Sequence, residues 1–126
     1  MTLKIAFIFA TLAGAIGVVL GAFGAHALRG SIEPRLMETF QTAVQYQLIH
    51  ALALLLVSLT MGWLGESLAL EISAYAFIAG ITLFSGSLFG LVFTEIRWLG
   101  PVTPLGGLCF IVGWLALSVG GFRQIA

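Results

Sequence analysis

The residues IAFIFATLAGAIGVVLGAFGAHAL, at positions 5–28, include no Lys, Arg, Asp or Glu. About 20 apolar residues are enough to cross a hydrocarbon core about 30 Å thick, so this stretch predicts a transmembrane helix. Lys4 before it and Ala25-His26-Ala27 near its end also imitate a secretory signal. We expect a span that is kept, because the apolar part of a signal is only about 7 to 15 residues long.

The composition of the whole chain points to the same solvent. The chain has 126 residues, of which 60% are hydrophobic and 8% are charged, with a formal net charge of zero. Soluble domains are about 25% charged, so the lipid bilayer is the expected surrounding of this chain. A chain without excess positive charge has no electrostatic footprint for nucleic acid, and no nucleic-acid partner is predicted.

Charged residues divide the chain into four long apolar segments. They predict a single integral-membrane domain with spans at about residues 5–28, 40–62, 72–94 and 101–122. Because every backbone N–H and C=O group in lipid needs a partner within the protein, the segments should be helices. The predicted fold is an all-α membrane protein with four transmembrane helices in an antiparallel bundle. Pro34 favours a start of helix 2 before the apolar segment, at the membrane interface.

Small residues recur along three of the predicted helices at steps of three, four or seven. Such spacing keeps them on one face, where two helix backbones can approach closely. The predicted packing glycines are Gly14, Gly17, Gly21, Gly24, Gly86, Gly90, Gly106, Gly113 and Gly120. Because the glycine faces of the first and last helices have similar spacing, we predict that these two helices pack against each other, antiparallel.

Several polar side chains lie inside or beside the predicted spans. The candidates for buried polar contacts are His26, Tyr46, Gln47, His50, Ser85, Ser87 and Thr103. Ionisable groups within a membrane mark functional sites by default. A neutral histidine that is hydrogen-bonded between helices would account for the same residues, however, and we favour that structural interpretation.

Four blocks of sequence stand out in order along the chain: Gly21-Ala-Phe-Gly-Ala-His26, Tyr46-Gln47-x-x-His50, Leu83-Phe84-Ser85-Gly86-Ser87-Leu88, and Thr103-Pro104-x-Gly-Gly107 followed by Gly113-Trp114. Taken together, they resemble the DUF423 (UPF0382) family of small bacterial inner-membrane proteins, which has relatives in eukaryotes. The resemblance implies a four-helix architecture and a multi-pass location in the bacterial cytoplasmic (inner) membrane. It implies no particular reaction.

Three functional hypotheses follow from these patterns. The first is a non-catalytic accessory or scaffold component, either a homo-oligomer or a small subunit or assembly factor of a larger complex, that associates through glycine-lined helix faces. The second is transport of a proton or small solute past His50, Gln47 and Ser87. The third is haem or metal binding through His26 and His50, which requires both rings at one depth. No cofactor is predicted, and the chain has no Asp and no nucleophile paired with a base, so no enzymatic activity is expected.

Overall fold

The computed structural model describes residues 1–125. Within them, 4 helical segments are long and apolar enough to cross a membrane. Helix α1 is Thr2–Leu28, α2 is Pro34–Leu64 and α3 is Leu68–Thr94. The fourth segment begins with a 3-10 turn, Arg97–Leu99, and continues as helix α4, Val102–Ile125. Residues 1–125 form no strand, so the prediction of an all-α membrane protein with four spanning helices is confirmed.

The helix ends follow local chemistry. Pro34 occupies the first turn of α2, where its missing N–H removes no intrahelical hydrogen bond. Ser67 precedes α3, and its hydroxyl oxygen accepts a hydrogen bond from the Leu70 N–H at 3.3 Å. Gly65 follows α2 with φ of 95°, a conformation that a residue with a Cβ rarely adopts.

Helix α2 is longer than the membrane requires. Its 31 residues would extend about 46 Å at about 1.5 Å per residue, against a hydrocarbon core of about 30 Å. Arg35 and Glu38, in its first turns, are both exposed. The first turns of α2 therefore lie at the level of the lipid headgroups, as expected from the sequence.

Helices α2 and α3 pack together in the centre of the bundle, and α1 and α4 lie on opposite flanks. Helix α1 contacts mainly α2, whereas α4 contacts mainly α3. Within the described chain, α1 and α4 make no contact with each other, so the prediction that they pack together is wrong. The glycine face of each flanking helix instead packs on the helix that is its neighbour in sequence.

Most of the predicted packing glycines face a neighbouring helix or turn. An added Cβ at Gly17 would lie 2.6 Å from Leu48, and one at Gly21 would lie 2.9 Å from Val44. The same test gives 3.1 Å between Gly24 and Phe40, 3.0 Å between Gly90 and Leu99, 2.6 Å between Gly113 and Phe77, and 2.9 Å between Gly120 and Leu70. Gly106 faces the backbone of Phe84 itself. Large side chains on one helix therefore fill hollows on the next.

Two of the predicted packing glycines do not have such neighbours. No other part of the described chain lies within 4 Å of a Cβ added at Gly14 or Gly86. On α1 the residue that packs inward is Ala13, which is 6% exposed. Conversely, Gly80 was not among the predicted packing residues, and its face is filled by the Phe110 ring.

Both α1 and α3 contain a π-helical segment, at Val19–Gly24 and Ile81–Ser85. A π turn holds more residues than an α turn and so rotates the faces that follow it. In α3, this segment places Phe84 against Gly106 of α4 and turns Ser85 toward α2.

The two chain ends lie beside the connection between α2 and α3. The Leu3 N–H donates to the Glu66 carboxylate at 2.9 Å, and the Gln124 side-chain amide donates to the Gly65 carbonyl at 3.2 Å. Four crossings place the start of α1 and the end of α4 on the same side of the membrane, which agrees with these two contacts.

Candidate functional site

His50 lies near the middle of α2 and is 6% exposed. Its Nδ1 lies 2.8 Å from the Tyr46 carbonyl oxygen, and its Nε2 lies 3.1 Å from the Trp114 indole nitrogen. An indole N–H can only donate, so Nε2 must accept and the ring proton must sit on Nδ1, which donates to Tyr46. The geometry therefore describes a neutral imidazole with both nitrogens occupied.

Aromatic rings from three helices surround this histidine. The Phe110 ring stacks on the imidazole with a centroid distance of 3.6 Å and an interplanar angle of 11°. We call the whole group the aromatic cluster: Tyr46, His50, Phe77, Phe84, Phe110 and Trp114. The Tyr46 and Phe84 centroids are 4.5 Å apart, which completes the connection between α2 and α3. The cluster thus connects α2, α3 and α4 around one hydrogen-bonded pair, His50 and Trp114.

A groove of about 600 Å³ opens beside the cluster. All members of the cluster except Phe77 line it, and α4 supplies the remaining wall: Pro104, Gly107, Leu108 and Ile111. Leu108 and Ile111 are exposed on the outer surface of the bundle. The groove is therefore open sideways, toward the hydrocarbon of the bilayer. We call it the aromatic groove.

Gln47 and Ser85 lie elsewhere in the bundle and connect helices. The Gln47 side-chain amide donates to the Ala13 carbonyl on α1 at 2.9 Å. The Ser85 hydroxyl donates to the Ala43 carbonyl on α2, also at 2.9 Å. Both side chains are buried, so each bond satisfies a polar group that lipid could not.

Ser87 and Thr103 form a pair between α3 and α4. Their hydroxyl oxygens are 2.6 Å apart, and Ser87 also donates to the Phe84 carbonyl at 3.0 Å. A hydroxyl can donate and accept at once, so the pair needs no further partner. The pair has the geometry of a structural contact between two helices.

His26 differs from the other candidates. It lies in the last turn of α1 and is exposed rather than buried. Gly24, two residues before it, faces Phe40 of α2, which is ten residues before His50. Ten helical residues correspond to about 15 Å, so the two imidazoles do not meet at one depth. This arrangement does not bring them to a single haem iron or metal ion, contrary to the third hypothesis.

Sequence reasoning missed several contributors to this region. Phe77, Phe84, Phe110 and Trp114 were not among the candidate site residues, although Phe77 and Phe84 are seven residues apart and Phe110 and Trp114 are four apart. Such spacings place each pair on one helix face. Ser73 was also missed; its hydroxyl donates to the Gly113 carbonyl at 2.7 Å. The signal available in the sequence was a single serine at the start of a long uncharged segment.

Residues 20–107 match the family described as "Protein of unknown function (DUF423)". The chain belongs to the DUF423 family. The match contains Tyr46, His50 and Phe84, and it ends before Phe110 and Trp114. The part of the aromatic cluster on α4 therefore lies outside the matched range.

Curated relatives of this DUF423 protein are similar over almost the full chain. The UPF0382 membrane protein SAB0533 of Staphylococcus aureus (strain bovine RF122 / ET3-1) is 39% identical over 121 residues, which are 96% of this chain and 98% of the relative. The UPF0382 membrane protein YwdK of Bacillus subtilis (strain 168) is 37% identical over 98% of this chain and 100% of its own length. A UPF0382 membrane protein of Haemophilus influenzae (strain ATCC 51907 / DSM 11121 / KW20 / Rd) is 37% identical over 90% of both chains.

No solved structure matches the chain. The bacterial relatives are named as membrane proteins, and the four helices have the length and composition of membrane spans. The predicted location, a multi-pass protein of the bacterial inner membrane, is therefore confirmed for this DUF423 protein, and the bilayer is its surrounding.

Proposed function

We propose that this DUF423 protein is a non-catalytic interaction component of the membrane, and that it associates with a second copy of itself through α1. The supporting observation is Gly14. Most of the other predicted packing glycines face neighbours within the chain, whereas nothing lies within 4 Å of a Cβ added at Gly14. Helix association in lipid depends on close backbone approach at small residues, so an uncovered glycine is available for a partner helix.

The surroundings of Gly14 fit a helix. A groove of about 420 Å³ extends between α1 and α2, and its α1 wall carries two pairs of small residues at four-residue spacing. Thr11 and Ala15, both exposed, form one pair. Ala10 and Gly14 form the other, but Ala10 is 3% exposed and packs within the chain, so only Gly14 of that pair is open to a partner. Leu12 and Ile16, on the same helix, are both more than half exposed. One helix thus offers both a shallow surface and bulky neighbours, which a self-complementary two-fold contact requires.

Gly86 offers a weaker alternative surface. It is exposed and has no neighbour within 4 Å of an added Cβ, as at Gly14. The Gly14 surface differs because two helices, α1 and α2, form the walls of its groove. This makes Gly86 a suitable matched control for Gly14.

The test is the oligomeric state in lipid vesicles at a low protein-to-lipid ratio, counted by single-molecule photobleaching of a labelled chain. We expect the parent to show pairs, Gly14→Leu to show single copies, and Gly86→Leu to resemble the parent. Helicity measured by circular dichroism should be the same in all three. Single copies for the parent, or pairs that survive Gly14→Leu, would contradict the proposal; loss of pairs only in Gly86→Leu would move the contact to α3.

The parent purified gently from its own membranes distinguishes self-association from a larger complex. Native mass analysis should give twice the mass of the chain. A stable mass that includes a different protein, with Gly14→Leu releasing that protein, would replace the second copy with a foreign helix. It would leave the role of the Gly14 surface intact.

Two observations weigh against the transport alternative. Both nitrogens of His50 are engaged, and large buried side chains such as Leu54 and Phe77 fill the space where α2 and α3 meet. A proton or solute path through one copy would have to open this packing. The haem alternative is weakened by the different depths of His26 and His50.

A further inference from the structure

The aromatic groove has chemistry that helix packing does not use. Five of the residues that line it have planar rings: Tyr46, His50, Phe84, Phe110 and Trp114. Its volume of about 600 Å³ is within the range of about 300 to 1,000 Å³ typical of small-molecule sites. It lies near the midpoint of α2 and opens toward lipid, so a molecule dissolved in the bilayer could enter without crossing water.

The walls of the groove favour a planar conjugated ring. Phe110 is 4% exposed and its ring face is covered by the His50 imidazole, so it forms the floor of the groove. Tyr46 is 39% exposed and Trp114 is 42% exposed, so both leave ring surface uncovered. Aromatic rings gain about 0.5 to 1.5 kcal/mol from stacked or edge contacts beyond the burial of their area. A saturated acyl chain would bury area but could not make these contacts.

Tyr46 adds a polar requirement. Among residues 1–125, its hydroxyl has no hydrogen-bond partner, although Tyr46 lies in α2 only one turn before His50, which is near the middle of that helix. His50 and Trp114 satisfy each other and cannot serve it. An unpaired hydroxyl in an apolar medium costs about 1 to 3 kcal/mol, so an acceptor atom brought by a ligand would be favourable here.

Gly107 makes room for such a ligand. It lines the groove, and a Cβ added there would have nothing within 4 Å. Nearby Gly106, in contrast, is packed against α3. The bare backbone at Gly107 therefore widens the groove without contributing to the packing of the bundle.

We propose that the aromatic groove binds a lipid-soluble molecule with a planar conjugated ring that bears carbonyl oxygens, of the isoprenoid quinone class. The ring lies against the uncovered ring surfaces of Tyr46 and Trp114, and one carbonyl accepts a hydrogen bond from the Tyr46 hydroxyl. The apolar tail leaves past Leu108 and Ile111 into the bilayer. This inference concerns a different surface from the Gly14 groove and does not depend on self-association.

Tryptophan fluorescence can test the proposal directly. Trp63 and Trp98 are 87% and 67% exposed near helix ends, so replacing both with Phe leaves Trp114 as a reporter inside the groove. This double variant is placed in phosphatidylcholine vesicles and titrated with decylubiquinone, a quinone that quenches indole fluorescence. We expect quenching that saturates, because a site fills. Quenching that rises linearly with the quinone content of the bilayer would indicate partitioning only and would overturn the proposal.

Two glycines on α4 provide a matched pair of variants. Gly107→Leu fills the groove, and Gly121→Leu adds the same side chain at another position where an added Cβ has no neighbour within 4 Å. In the Trp114-only background, Gly107→Leu should abolish saturation, whereas Gly121→Leu should retain it. Equal saturation in both variants would place the quinone elsewhere and overturn the proposal.

Tyr46→Phe tests the polar contact separately from the shape of the groove. It keeps the ring and removes the hydroxyl, so the bundle should fold as before. Loss of one hydrogen bond of about 0.5 to 1.5 kcal/mol corresponds to an affinity for decylubiquinone about threefold to tenfold weaker. Unchanged affinity would mean that the hydroxyl does not hold a carbonyl and would overturn that part of the assignment.

Discussion

The α1–α2 and α3–α4 hairpins use the same packing principle with the roles of their helices exchanged. In the first hairpin, glycines of the leading helix, α1, receive Phe40, Val44 and Leu48 of α2. In the second, glycines of the trailing helix, α4, receive side chains of α3. Each hairpin also has one buried hydrogen bond from the helix with large side chains to a carbonyl of the glycine helix. The two large-residue helices therefore meet in the centre.

The hairpins differ in how closely their backbones approach. On α1, the atoms that an added Cβ would meet are ends of side chains, such as Leu48 Cδ2. On α4, a Cβ at Gly106 would meet the backbone nitrogen and Cα of Phe84. A side chain can change rotamer, whereas the backbone of a packed helix cannot move alone. The second hairpin should therefore tolerate less change at its glycines than the first.

The largest effect is expected for Gly106→Ala. The added methyl group would overlap the Phe84 backbone, and relief requires α3 and α4 to separate. We expect a loss of about 3 kcal/mol in the free energy of unfolding, at the upper end for overpacked cores. Unfolding by sodium dodecyl sulfate in mixed micelles, monitored by circular dichroism, measures this loss in the free energy of unfolding. Gly107→Ala, one residue further along α4, is the control and should be near neutral; similar losses in both would refute the close backbone contact.

Gly17→Ala should have a smaller effect. The new methyl group would meet Leu48, whose side chain has other rotamers, so we expect a loss of about 1 to 2 kcal/mol. In the double variant Gly17→Ala/Leu48→Ala, the second change removes the clash, and the two effects should be non-additive by at least about 0.5 kcal/mol in the same unfolding measurement. Strict additivity would show that Gly17 and Leu48 do not interact.

The two cross-helix hydrogen bonds should matter less still. Gln47→Leu removes the bond to Ala13, and Ser73→Ala removes the bond to Gly113. Such bonds between membrane helices contribute about 0.6 kcal/mol on average, and both acceptor carbonyls belong to helices. We expect losses of about 0.5 to 1 kcal/mol for each in the free energy of unfolding. A loss above about 2 kcal/mol in only one hairpin would mean that the bonds are not equivalent.

This comparison also explains what sequence could reveal. The four spans and their approximate bounds depend on the polarity of each segment, which is local information. Spacing identified glycine faces such as that of Gly106, Gly113 and Gly120, but not the helix opposite each face. A partner depends on which connections are short and on how α2 and α3 meet, and one helix pattern does not contain this information. For that reason the predicted contact between α1 and α4 was wrong.

The rotation of individual helix faces was equally hard to predict. The π-helical segments at Val19–Gly24 and Ile81–Ser85 change which residues share a helix face before and after them, and no residue pattern indicated these segments. The spacing places Gly14 on the same packing face of α1 as Gly17, whereas in the structure Ala13 packs inward and a Cβ added at Gly14 has no neighbour within 4 Å. The aromatic cluster was only partly predicted, because its rings come from three helices and meet only after these faces have been set. His50 was recognised by polarity, whereas the ring of Phe110 that stacks on it looked like an ordinary apolar side chain.

The smallest effects on the bundle itself are expected at the uncovered glycines, and they separate the two uses of glycine in the first hairpin. Gly14→Ala adds a methyl group that touches nothing in the same chain, so the free energy of unfolding of isolated copies should change by less than about 0.5 kcal/mol. Gly17→Ala, on the same helix, should be clearly destabilising under the same conditions. In vesicles, the order should reverse for self-association, because Gly14 lies on the proposed contact and Gly17 does not. Photobleaching counts of both variants over a range of protein-to-lipid ratios would measure this reversal. If Gly14→Ala leaves both folding and association unchanged, then the uncovered glycines face only lipid, and the distinction between inner and outer glycines has no functional meaning.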